Sequence, residues 1–117
     1  TKKYKNINIE IYSNSDITNF EKYKLIINCT SVGMEPRTNT SPVEIVNASN
    51  ISIFYDIIYK PRITKFLSNA KSFDCQTING IDMLIYQGLL SEEIWLNKKL
   101  EINKIKTYLL EGDKIGI

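Results

Sequence analysis

The chain is predicted to fold as an α/β domain built on a parallel sheet. Two observations predict it: strand-like and helix-like segments alternate along the sequence, and the strand-like segments are short with apolar interiors. Its 117 residues suit one domain with a small core.

The elements follow in order. Residues 6–12 (NINIEIY) alternate polar and apolar side chains, the period of a strand. Residues 13–19 are polar and turn-like, and Asp16 is placed to cap a short helix carrying Ile17 and Phe20. Residues 24–29 (KLIINC) form a short apolar run, expected as a strand buried on both faces. Residues 31–40 hold Gly33, Pro36 and Asn39 and read as a loop. Residues 42–46 suggest a helical turn. Residues 51–59 (ISIFYDIIY) are the clearest strand, rich in Ile and aromatics, and Pro61 breaks it.

Pro61-Arg62-Ile63-Thr64 reads as a turn and a helix start. A short helix over 64–70 then sets Phe66, Leu67 and Ala70 on one side. Residues 73–78 are a further strand, and Asn79-Gly80 a turn. The longest helix spans 81–96. Its first half is apolar almost all round, which predicts burial, and Asp82 in its first turn suits the helix dipole. Residues 101–110 form a last amphipathic helix with Ile102, Ile105 and Leu109 on one face. Gly112 is expected to end it and the remaining residues to be loose.

Composition excludes several function classes. The net charge is +2 and the Lys residues are scattered, so no nucleic-acid partner is expected. No apolar run approaches the roughly 20 residues that span a bilayer, and no signal peptide is visible. No membrane partner is therefore expected. Cys29 and Cys75 are expected to be buried reduced thiols of a cytoplasmic protein. The Asn-x-Ser/Thr matches at Asn28, Asn47 and Asn50 read as chance. The chain contains no His, which removes Ser-His-Asp and Cys-His systems and His-ligated zinc. No metal site is expected.

In parallel sheets ligands bind outside the carboxyl ends of the strands. That rule selects Thr30-Ser31, Tyr59 and Asn79-Gly80. A glycine between strand and helix lets backbone approach a ligand, and the helix start offers free N–H groups. Met83 and Gln87 lie four residues apart and share a helix face. Gln87 is an amide in an apolar stretch; bonding to backbone or water is one reading of it, ligand contact another. Gly88 suits close helix packing. Tyr59 reads as rim packing or as a ligand contact, and Asp56 as a bonded structural carboxylate rather than a catalytic one. No Gly-rich dinucleotide loop and no Walker A motif occurs, so the chain is expected to start after such a loop.

Four blocks together resemble shikimate dehydrogenase: INCTSVGM (27–34), SPV (41–43), FYDIIYKPRITKFL (54–67) and TINGIDMLIYQGLLSEEIW (77–95). Their order and spacing also match, over roughly residues 25–110, and N-G-x-D-M-L-x-x-Q-G in the last block is the most specific part. Quinate/shikimate dehydrogenases, some of which use NAD, share much of it. The resemblance implies an incomplete Rossmann-like parallel sheet flanked by helices, with residues 1–117 as the C-terminal part of a dinucleotide-binding domain lacking its Gly-rich loop. It implies NADP as cofactor and shikimate/3-dehydroshikimate as the substrate pair. It assigns Thr30, Ser31, Ile57, Gly80 and Met83 to the cofactor, with Ile57 and Gly80 acting through backbone, and Tyr59 and Gln87 to the substrate. The family's catalytic Lys and Asp belong to an N-terminal substrate domain that this sequence lacks, so no catalytic residue is expected here. Lys60 stands where the family commonly has Asn. Removing the first strands of such a sheet exposes an edge, which predicts self-association.

Overall fold

The computed structural model describes residues 7–111. Three parallel strands lie in the order β1-β2-β3: β1 Leu25–Asn28, β2 Ile53–Asp56 and β3 Gln76–Ile78. Three helices flank them: α1 Lys65–Lys71, α2 Ile81–Leu96 and α3 Ile102–Leu110. The predicted parallel α/β arrangement is therefore present.

Register follows from alternation along β2. Phe54 and Asp56 point to the covered face and are fully buried, while Ile53 and Tyr55 are half-buried on the other. Phe54 is the centre of the core. Its ring lies 5.4 Å from that of Phe66 and 5.9 Å from that of Phe20, the latter edge-on. Leu67, Ala70, Cys75 and Ile45 complete the cluster. The three apolar residues predicted for one side of α1 are thus its buried residues. Thr64 starts that helix by accepting a hydrogen bond from the Leu67 N–H.

Several expectations are corrected. Residues 7–12 form no strand; they are exposed, and Tyr12 donates instead to Glu10 at 2.6 Å. Alternation alone does not make a strand where no ladder partner is met. Residue 6 lies outside the described residues. Residues 14–16 make a turn, closed by Asp16 N–H to the Ser13 carbonyl, rather than a capped helix. Ile17 and Phe20 nevertheless pack on or in the core. Residues 42–46 form no helical turn; Val46 donates to the Thr18 carbonyl, and Asn19 bridges Asn47 in parallel.

β1 is buried on one face only. Leu25 and Ile27 are 55% and 48% exposed, lining an open pocket with Asn8, Glu10 and Tyr12. The β2 ladder stops at Asp56, and β3 begins at Gln76 because Phe73 and Asp74 are taken by the turn after α1, where Asp74 has a φ of 57°. Cys29, expected buried, is exposed; Cys75 is buried, and burial pushes its thiol pKa up. The first half of α2 is not buried all round. Only Ile85 is buried, since α2 lies against α3 rather than inside the core. Gly88 makes no close helix contact among the described residues: apart from its own helix backbone and chain neighbours, no atom comes within 4 Å of where a Cβ would stand. Gly112, the predicted end of α3, lies outside the described residues.

Candidate functional site

All three parallel strands end on the same edge of the sheet, so the loops that follow them share one rim. After β1 come Thr30 and Ser31, both exposed. After β2 come Ile57, half-buried, and Tyr59, 38% exposed. After β3 comes Gly80, buried, at the N-cap of α2. Each place that the strand-end rule selected thus lies just past the carboxyl end of its strand.

Hydrogen bonds lock these segments together. Ile57 N–H donates to the Asn28 carbonyl at 3.2 Å, and Gly80 N–H to the Ile58 carbonyl at 3.0 Å. At Gly80 the chains approach too closely for a side chain. A Cβ there would sit 1.8 Å from the Ile57 carbonyl oxygen and 2.4 Å from its carbon. The glycine therefore brings the α2 start against the backbone of Ile57.

Beneath the rim lies a buried carboxylate. Asp56 accepts from Asn28 Nδ2 at 3.1 Å, from Ile58 N–H at 3.0 Å and from Thr64 Oγ1 at 2.6 Å. It is the bonded structural carboxylate that the sequence predicted. Asn28 in turn accepts from Thr30 N–H and Thr30 Oγ1. The part played by Asn28 escaped the sequence reading, which noted only its chance Asn-x-Ser/Thr match. The available signal was register: Asn28 and Asp56 are polar residues ending two adjacent apolar strands, and they pair directly.

Helix α2 divides into three faces. Ile85 points inward. Asp82 and Tyr86 face α3: Lys106 Nζ pairs with Asp82 at 2.7 Å and sits 5.1 Å over the Tyr86 ring, and Tyr86 Oη donates to Asn103. The Asp82 carboxylate pushes the Lys106 ammonium pKa up. Met83, Gln87, Leu90 and Ile94 form a continuous exposed strip. Gln87, expected in a buried setting, is exposed, and its side chain makes no hydrogen bond to a described residue. Bonding to protein backbone, the bland reading of this amide, does not occur among the described residues. Gln87 stands about 10 Å along α2 from its start, at 1.5 Å per residue.

The rim can therefore offer a ligand hydroxyls at Ser31 and Tyr59, the Met83 thioether and an amide at Gln87, while the Thr30 hydroxyl is taken up within its own loop. Ser31 also lines a cavity of about 140 Å³ with Gly33, Arg37 and Thr40. The rim groups are uncharged hydrogen-bonding and thioether side chains. They do not supply a phosphate cradle, and the sequence has no Gly-rich loop. Among the described residues no group of three His, Cys, Asp or Glu could hold a metal ion. None of the described helices is long and apolar enough to cross a membrane.

The chain is similar in sequence and in fold to parts of known proteins. No family model matches it. Shikimate dehydrogenase (NADP+) from Methanococcus vannielii is 45% identical over 94 residues, covering 80% of this chain and 33% of that protein. The Methanococcus maripaludis enzyme of the same name is 40% identical over 111 residues, covering 94% of this chain and 40% of that protein. A crystal structure of shikimate dehydrogenase in complex with NADP+ superimposes with a TM-score of 0.67 at 34% identity, over 75% of this chain and 31% of the other. That of Listeria monocytogenes shikimate 5-dehydrogenase with shikimate and NAD gives 0.65 at 32% identity, over 74% and 30%. The chain spans about a third of the length of the curated relatives it matches. The resemblance read from the four sequence blocks holds in sequence and in fold, and it covers part of those proteins.

Proposed function

We propose that this chain is a piece of an NADP-dependent shikimate dehydrogenase, the piece that holds the nicotinamide end of the cofactor and the hydroxyls of the substrate. The complete protein would interconvert 3-dehydroshikimate and shikimate, a step of aromatic amino-acid biosynthesis in the cytoplasm. The observation that carries this reading is the rim itself. Thr30, Ser31, Ile57, Tyr59 and Gly80 follow three parallel strands on one edge, and Met83 and Gln87 continue from it along α2.

NADP, when bound, exchanges the hydride; this chain's residues bind and orient. Met83 lies beside the ring, with the backbone of Ile57 and Gly80 and the Thr30-Ser31 loop on the cofactor side. Tyr59 and Gln87 hold the substrate. The exposed strip around Gln87 is the face that the N-terminal substrate domain would close over, bringing the proton-moving Lys and Asp.

Oxidation of shikimate by the complete protein with NADP+ is the expected result, and its absence overturns the reading. The shikimate-and-NAD complex of the Listeria protein favours keeping a second acceptor in view. Initial rates with NADP+ against NAD+, and with shikimate against quinate, separate the two.

The isolated chain has half of this site. Titrated with NADP+, it should show no binding in the micromolar range, and it should not oxidise shikimate. Micromolar affinity would mean that the residues on this rim suffice without a phosphate cradle, and turnover would mean that the proton-moving groups are present after all.

The isolated chain should also self-associate. The outer edge of β1 has no ladder partner among the described residues, and Leu25 and Ile27 are exposed beside it. Sedimentation velocity over a wide concentration range should show growing association, and a constant monomer would contradict this.

A further inference from the structure

We infer that Asp56 and Asn28 are positioning residues for the cofactor-side loop, a role that rests on the dehydrogenase reading above. One buried carboxylate orients three segments of the rim. Asp56 Oδ1 accepts from Ile58 N–H and from Asn28 Nδ2, and Oδ2 accepts from Thr64 Oγ1. Every partner donates, so the carboxylate is satisfied as an acceptor throughout. Thr64 Oγ1 also accepts from Leu67 N–H at 3.3 Å, which ties the carboxylate to the start of α1.

Asn28 carries the effect outward. Its Nδ2 faces the Asp56 acceptor and also donates to the Val32 carbonyl at 3.3 Å. Its Oδ1 then faces the Thr30 N–H at 3.0 Å and the Thr30 hydroxyl at 2.7 Å. The two ends of the amide are thus assigned by their partners: an acceptor on one side requires Nδ2, two donors on the other require Oδ1. Thr30 Oγ1 in turn accepts from Val32 N–H at 3.2 Å. The Thr30 hydroxyl is engaged both as donor and as acceptor inside the loop. Ser31, next to it, is exposed; its backbone carbonyl accepts from the Met34 N–H at 3.2 Å, while its hydroxyl bonds no described residue. The loop is built so that Thr30 is held and Ser31 is presented.

A buried polar pair is often replaceable by apolar residues of similar volume with little loss, whereas its directional bonds hold one loop geometry. Asp56 is fully buried and Asn28 is 3% exposed, so neither touches a ligand at the rim; both act through Thr30 and its loop.

The test uses the complete protein. Asn28→Ala should raise the KM for NADP+ by roughly tenfold or more, since a small misplacement of a positioning group is costly. The KM for shikimate should change little. Ser52→Ala is the control for destabilisation alone. Ser52 is equally buried and donates to the Tyr23 carbonyl at 2.6 Å, at the opposite end of β2. It should lower the melting temperature and leave both KM values in place. If Asn28→Ala does not fold, Asp56→Asn, of the same size, should give the same selective loss. An active parent whose positioning variants keep the NADP+ KM, or move both KM values together, overturns the positioning role alone. An inactive parent overturns the dehydrogenase reading and this role with it.

Discussion

Gly80→Ala should lower the melting temperature of the complete protein by roughly 10 °C or more, corresponding to about 3 kcal/mol in a domain of this kind. The cause is backbone against backbone. The added Cβ would stand 1.8 Å from the Ile57 carbonyl oxygen, 2.4 Å from its carbon and 3.0 Å from its Cα. No side chain can rotate away to relieve this. Either the β2–α1 connection moves outward or the first turn of α2 does. Both motions break the Gly80 N–H bond to the Ile58 carbonyl, and the second also disturbs the Leu84 N–H bond to the Gly80 carbonyl. A buried N–H or carbonyl left without a partner adds about 1–3 kcal/mol of its own. The φ of Gly80 is −79°, so left-handed strain plays no part, and the effect is steric contact. Ile57 and Gly80 are also the two positions expected to meet the cofactor through backbone. Loss of NADP+ affinity should therefore accompany the loss of stability. Thermal melting with and without NADP+ checks both. A melting temperature within about 2 °C of the parent would mean that the approach is looser than the geometry indicates.

That close approach shows what sequence pattern carries and what it omits. Asn79-Gly80 is visible as a turn, and the strand-end rule marks it as ligand-facing. Nothing local says that the neighbouring backbone at Ile57, 23 positions earlier, fills the space of the missing Cβ. The same split runs through the fold. The three strands, α2 and α3 lie within segments whose period or residue types predicted them, and α1 runs one residue past its predicted end, to Lys71. Phe66, Leu67 and Ala70 were legible because helical spacing and apolar character agree, and the core confirms them.

The misses arise where a tertiary partner decides. The alternation in residues 7–12 fits a strand, yet a strand needs a ladder and meets none. KLIINC looks like a doubly covered strand, yet β1 is an edge with Leu25 and Ile27 open. The apolar first half of α2 looks like core, yet hydrophobicity alone cannot tell core from an exposed apolar face. Met83, Leu90 and Ile94 fall on that face. The buried network failed differently. Asp56 was readable as a bonded carboxylate, but its partners Asn28 and Thr64 come from separate segments and meet only when β1 and β2 are in register.

The exposure of Gln87 separates binding from folding when it is replaced. Gln87→Ala in the complete protein should raise the KM for shikimate about tenfold or more, with the KM for NADP+ and the melting temperature little changed. A hydrogen bond from a neutral amide to a substrate hydroxyl contributes about 0.5–1.5 kcal/mol net, and more when the partner is left buried and unpaired. Had Gln87 been buried with partners in this chain, its loss would have mixed folding with binding. It is instead exposed, and its side chain bonds no described residue. Beyond the helix's own backbone bonds, its carbonyl accepts from Ser91 Oγ at 2.8 Å, and none of these depends on the Gln87 side chain. Alanine also suits a helix interior better than glutamine does, so truncation should not weaken α2. The flanking Met83 and Leu90 keep the strip apolar around the amide, as a site for a ring bearing hydroxyls requires. Gln87→Glu separates direction from size: it keeps the length but loses the N–H donors and adds a charge. If the amide donates to the substrate, Glu should be at least as damaging as Ala. If it accepts, Glu should be the milder change. An unchanged shikimate KM in both variants would remove Gln87 from the substrate site and leave the exposed strip as a surface for the other domain alone.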